Sequence, residues 1–114
     1  MRTLLILFVA ATAAFLSPAQ TPQPPWEKNH LRIGQALYRE NCVVCHDIDG
    51  AASKKFGPSF YRLFKQDKMP LSNMKPDRAY IKTRVKFGGK LMPGFRKSLN
   101  DSEIDTLIDY IASR

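Results

Sequence analysis

Cysteine is scarce in this 114-residue chain: there are two, Cys42 and Cys45, three positions apart. A framework of several disulfides is therefore excluded. Histidine is equally scarce, with only His30 and His46, and no H-x-x-x-H pair exists. A zinc site needs about four ligands. Cys42, Cys45, His46 and His30 would have to be forced together to provide them, with no second C-x-x-C to complete a knuckle. Alternating β-branched runs are missing too, which argues against the βαβ setting of a thioredoxin-like C-x-x-C. A single bridge between Cys42 and Cys45 stays open as the bland reading. No apolar run reaches the roughly 17–25 residues of a bilayer-spanning helix. Acidic residues are nearly absent from the middle of the chain: across 51–97, 13 Lys and Arg stand against Asp67 and Asp77 alone.

The N-terminus is Met1-Arg2, then an apolar run from Thr3 to Leu16, then Ser17-Pro18-Ala19. A basic start, a short apolar stretch and a small-x-small end read as a secretory signal cleaved after Ala19. The rival is an uncleaved N-terminal anchor. Residues 20–28 carry Pro22, Pro24 and Pro25 and read as an extended lead. Residues 29–114 are then one small domain, expected outside the cytoplasm in the periplasm or another exported location.

The two cysteines and one histidine sit together as Cys42-Val43-Val44-Cys45-His46. C-x-x-C-H is the attachment pattern of c-type haem: each thiol adds across a vinyl group, and the adjacent imidazole binds the iron. The motif uses every cysteine in the chain. A ligating imidazole needs an acceptor on its other nitrogen to fix the ring. The Gly57-Pro58 turn leaves carbonyls without helical partners, and Pro58 C=O is the candidate. The sixth ligand is sought among soft donors. Met92-Pro93, after the Gly88-Gly89 pair, lies in a loop that proline stiffens, and Met92 is the first choice. Met69, also followed by proline, is its rival; Met74 and His30 come after.

The rest of the chain reads as helix. The first helix is expected from Asn29, as N-cap, to Asn41, with Leu31, Gly34 and Tyr38 on one stripe. Gly34 costs about 1 kcal/mol inside a helix, and close approach of another helix is a reason to place it there. Phe60–Gln66 is expected to form a short helix. Pro76-Asp77 opens the next, which Gly88-Gly89 ends. Asn100 and Glu103 form a capping-box pair for the last. There Ile104, Leu107, Ile108 and Ile111 make the buried stripe, with Asp101, Asp105 and Asp109 on the wet side.

In order and spacing these elements resemble class I cytochrome c, from about residue 30 onward. The matching residues are Gly34 and Tyr38, Cys42-x-x-Cys45-His46, Gly57-Pro58, Met92-Pro93-Gly94-Phe95, and Leu107 with Tyr110. The resemblance implies an all-α cytochrome c fold, three to four helices around one covalent haem c. It implies His46 and Met92 as axial ligands, with Pro58 behind the histidine. It also implies electron carriage rather than catalysis. The Met69–Lys75 segment has no counterpart role.

The formal charge is +8, split into a basic middle and an acidic last segment. An exported protein rarely meets nucleic acid, so that partner is set aside. Redox proteins with an acidic docking surface are the expected partners, with an anionic membrane surface as a further possibility and a monomer as the expected state. Lys54, Lys55, Lys86 and Lys90 lie nearest the motifs. Two rivals to a free carrier are kept: a haem subunit of a redox complex, and a haem enzyme or gas sensor with a displaceable sixth ligand.

Overall fold

The structure, a computed structural model, describes Pro22 and residues 24–114. The expected signal segment, 1–19, lies outside these residues. Three helices form the frame: α1 Pro25–Asn41, α2 Arg78–Phe87 and α3 Asp101–Ala112, with a 3-10 turn at Leu63–Lys65. There is no strand among the described residues, and the fold is all-α.

α1 begins four residues before the expected Asn29. Pro24 is extended (φ −61°, ψ 147°), and Pro25 is the first helical residue. Proline suits that place because its missing N–H would have had no helical partner anyway. The Pro24 carbonyl accepts from Glu27 N at 3.0 Å. Pro25–Lys28, expected within the extended lead, are therefore the first turn of α1. Asn29 is interior, where its side chain accepts from Arg32.

α1 and α3 cross at Gly34. A methyl there would lie 2.5 Å from Tyr110 Cβ and 2.6 Å from the Thr106 carbonyl. Only glycine lets the two backbones come this close. The α3 stripe closes the core behind the crossing: Ile104 and Leu107 are 0% exposed, and Ile108 and Ile111 are buried with them. Each such side chain contributes about 1.5–3 kcal/mol by leaving water. The α3 capping box is complete. Asn100 Oδ1 accepts from Glu103 N at 2.9 Å, and Glu103 Oε2 accepts from Asn100 N at 2.8 Å.

α2 is capped by Asp77, whose carboxylate accepts from Tyr80 N at 2.7 Å. Pro76 stands outside the helix rather than in its first turn. Gly88, at φ +74°, ends α2. The helix lays its cations on the acids of α3: Lys82 meets Asp105 at 2.7 Å, Lys86 meets Asp101 at 2.7 Å, and Arg78 pairs with Asp109. His30 of α1 reaches the same Asp109 at 2.8 Å. Three of the 13 cations of the basic middle are thus folded onto the acidic tail. Phe60–Gln66 supplies only the 3-10 turn, entered through Arg62 in the left-handed region (φ 49°).

Candidate haem site

α1 runs straight into the motif. Cys42 N donates to Tyr38 O at 2.8 Å, and the next turn is closed by Cys45 N and His46 N on Cys42 O at 3.1 and 2.9 Å. Both thiols are unbridged. Burial, with a smaller contribution from Cys45, pushes the Cys42 thiol up to about 11, so it keeps its proton at neutral pH.

His46 is held on three sides. Its Nδ1–H donates to the Pro58 carbonyl at 2.7 Å. Phe60 stacks on the ring, with centroids 4.3 Å apart and planes 18° from parallel. The His46 carbonyl accepts from Tyr38 Oη at 2.8 Å. The third side of the ring, after Pro58 and Phe60, is Gly57, where a methyl would lie 2.6 Å from His46 Nδ1. Gly57 N is itself tied to Cys45 O at 2.7 Å. Burial lowers the His46 pKa; the Pro58 bond opposes that, and Lys55 adds to it. The imidazole is therefore neutral at pH 7, with Nδ1 committed and Nε2 left as the nitrogen able to bind a metal.

Cys42, Cys45, His46, Pro58 and Met92 all line one cavity of about 460 Å³, and Met69 lines it too. The volume lies in the range of small-molecule and cofactor sites. Its wall is mostly apolar, from side chains such as Leu63, Ile81, Val85 and Phe95. Met92 is half-buried and Met69 is buried. The Met92 loop is clipped to the end of α2. Gly89 N donates to Met92 O at 2.9 Å, Phe95 N to Val85 O at 2.9 Å, and Arg96 N to Lys86 O at 3.1 Å. A methyl on Gly94 would lie 2.8 Å from Phe87 C, so this glycine too is a close approach.

His30 does not line the cavity; its partner is Asp109 at the helix crossing. Met74 is also off the wall. Among the described residues no three His, Cys, Asp or Glu side chains converge to hold an ion. The donor set instead fits a haem: two unbridged thiols at the spacing of vinyl attachment, a neutral imidazole with its far nitrogen fixed, and thioethers on the same apolar wall. The cations on that wall are Arg84 and Lys90. Arg84 stacks on Tyr80 and donates to its hydroxyl at 2.7 Å. Of the four lysines noted near the motifs, Lys55 is paired with Asp47 and Lys86 with Asp101. Lys54 and Lys90 make no ion pair among the described residues.

Sequence reasoning did not find Phe60 as the ring that stacks on His46, nor Gly57 as the space the imidazole occupies. A glycine immediately before the accepting proline, in a short loop after the motif, was the available signal.

A helical frame with a C-x-x-C-H turn opening onto an apolar, thioether-lined cavity defines a c-type cytochrome. The chain belongs to the family described as cytochrome c oxidase, cbb3-type, subunit III, whose model matches residues 29–111. It is also similar to cytochrome c6 of Diacronema lutheri, 28% identical over 81 residues, which cover 71% of this chain and 92% of that protein. Family membership carries with it a covalently bound haem c and electron transport as the general chemistry. No helix among the described residues is long and apolar enough to cross a membrane.

Proposed function

We propose that this protein relays single electrons between exported or membrane-bound redox partners, with one haem c attached through Cys42 and Cys45 and its iron ligated by His46 and Met92. The observation that carries the reading is the fixed imidazole: His46 donates Nδ1–H to Pro58 O at 2.7 Å and faces a cavity that holds both thiols and Met92. When bound, the haem supplies a one-electron iron couple. Pro58 holds the His46 ring and raises its basicity. Met92 presents a soft thioether, which favours reduced iron and a higher potential than a second imidazole would give. Its loop, pinned to α2, keeps the sulfur in place in both redox states. Arg84, on the cavity wall, would offer opposite charge to the haem carboxylates. Leu63, Ile81 and Val85 exclude water.

Cations left without internal partners, Lys54 and Lys90 among them, would steer an acidic partner to the crevice. Such association is fast, weak and sensitive to salt. The electron-transfer rate with an acidic partner should fall as ionic strength rises; a flat profile would remove the steering. The export reading, with cleavage after Ala19, predicts Gln20 as the first residue of the mature protein in N-terminal sequencing.

The ligand test is the absorption spectrum of the matured protein, oxidised and reduced. A weak sulfur-to-iron band near the red end should be present in wild type and Met69→Ala and absent in Met92→Ala. Loss of the band in Met69→Ala alone would transfer the ligand to Met69. A wild type without the band, binding CO rapidly when reduced, would bring the enzyme or sensor reading forward. The family description favours a second reading of the same chemistry, a haem subunit within a redox complex. Co-purification with a membrane oxidase from native extract would support it.

A further inference from the structure

Leu71 breaks two rules at once. It is the most exposed large apolar side chain among the described residues, at 94%, and its backbone lies at φ +63°. A bulky L-residue rarely adopts that conformation, because Cβ crowds the carbonyl oxygen, and glycine would fit it without strain. Strained backbone persists where its surroundings hold it in place, and such sites cluster at functional contacts.

The surroundings are visible. Met69, two residues back, is buried in the core. Its N–H donates to Met74 O at 2.8 Å, and its carbonyl accepts from Ser72 N at 3.2 Å. Ser72 Oγ accepts from Met74 N at 3.1 Å. The segment is a tight turn, rooted in the core by Met69 and carrying Leu71 at its tip. That tip lies at the rim of the cavity, where Val44, Phe56 and Leu91 are also largely exposed. Lys68 and Lys75 flank the turn, Lys90 adjoins Leu91, and Lys54 lies two residues before Phe56. None of these four lysines has an ion-pair partner among the described residues, and Asp67 is the one acid next to the turn.

We infer that Leu71 is a pre-organised anchor for the redox partner: it enters an apolar socket on a partner protein whose socket is edged by carboxylates. The inference rests on the proposed carrier function and names the contact it uses. Charge complementarity selects the occupant, because Lys68 and Lys75 flank the turn in sequence and Lys90 lies on the same cavity wall as Leu71, none with an ion-pair partner among the described residues. A socket of carboxylates would meet them as Leu71 is buried. Holding the backbone of the turn in place beforehand lowers the ordering cost of binding. Binding energy concentrates in fully desolvated, well-packed pockets near the centre of an interface, a place leucine takes less often than Trp, Tyr or Arg.

The test uses the haem-loaded full chain and its Leu71→Gly variant. Glycine accepts the positive φ, so the turn keeps its shape. The probe is reduced flavodoxin, an acidic flavoprotein donor, with dithionite as a small donor that needs no docking. The expected result is a bimolecular rate with flavodoxin lowered by about fivefold or more, persisting at high salt where steering is screened. The dithionite rate, the absorption spectrum and the potential should be unchanged, and the melting temperature unchanged or raised as strain is relieved. An unchanged flavodoxin rate at high salt would overturn the inference. A changed spectrum or potential would also overturn it, making Leu71 a wall of the haem site. Leu71-dependent binding to phosphatidylglycerol vesicles, or a dimer lost in Leu71→Gly, would overturn it in favour of a lipid surface or a second copy. Failure of the carrier function would look different: no electron transfer from flavodoxin to either protein, or no sulfur-ligated haem at all.

Discussion

At the α1–α3 crossing a single methyl on Gly34 would collide with Tyr110 and Thr106. Around the cavity mouth Val44, Phe56, Leu71 and Leu91 stand largely in water. At the crossing, charges also find partners within the chain: Asp109 joins His30 of α1 and Arg78 of α2. At the mouth, Lys90 finds none among the described residues. The crossing is finished by the chain alone. The crevice presents its apolar wall, donors and cations outward. Stability and function are therefore concentrated in different halves, and substitutions should separate them.

The largest effect belongs to the crossing. Leu107→Ala empties a site with 0% exposure, and unfolding in urea should show a loss of about 2–5 kcal/mol. The haem spectrum and potential of the folded variant should stay as in wild type. A large shift in potential would mean that the two halves are coupled after all.

Gly57→Ala probes the other half. The added methyl meets the His46 ring and the Cys45 carbonyl, an overpacking that costs about 1–3 kcal/mol. Its signature should be spectroscopic. The imidazole must tilt away from Pro58, so the potential and the ligand-sensitive bands should move further than in any crossing variant. An unaltered spectrum would show that the Gly57 contact does not set the imidazole.

The smallest effect is electrostatic. Burial pushes the Asp109 carboxyl up, but hydrogen bonds from His30 and Arg78 outweigh it and hold the group below the ordinary carboxylate value. A lowered folded pKa gives stability that is full above the unfolded value, near 4, and is lost as pH falls through the folded value. Asp109 is more than a third exposed, so solvent screening keeps the contribution under about 1 kcal/mol. Urea midpoints from pH 7 down to pH 3 should decline less steeply in Asp109→Asn than in wild type. Parallel curves would show that the three-helix junction has no net electrostatic worth.

Much of the frame was legible because periodicity and caps are local. The α3 stripe and the Asn100–Glu103 box follow from residues a few positions apart. The start of α1 was misread because Pro24 and Pro25 look like extended chain, although one of them is a good first helical residue. Phe60–Gln66 carries an inward apolar pattern but turns through Arg62 at positive φ, so only the 3-10 turn forms. Nothing in the sequence marks Leu71 for the left-handed region. The pairing of α2 cations with α3 acids depends on how two distant helices lie together, so the basic middle looked freer than it is. At the site, Cys42-x-x-Cys45-His46 and Gly57-Pro58 could be named from spacing and turn chemistry. The stacking of Phe60 and the space left by Gly57 required the fold.

Because α1 and α3 join near the two ends of the described chain, the segment from Cys42 to Asn100 is closed at its ends by a finished clasp, with α2 laid on α3 in between. Once such a loop is closed, lengthening it is inexpensive: doubling it adds only about 0.6 kcal/mol of closure entropy. The turn that carries Leu71 can therefore be shortened, extended or exchanged with little strain on the clasp. On the proposed docking role of Leu71, a scaffold of this kind would acquire a new partner by changing a few residues of one turn, with its folding unit as it was.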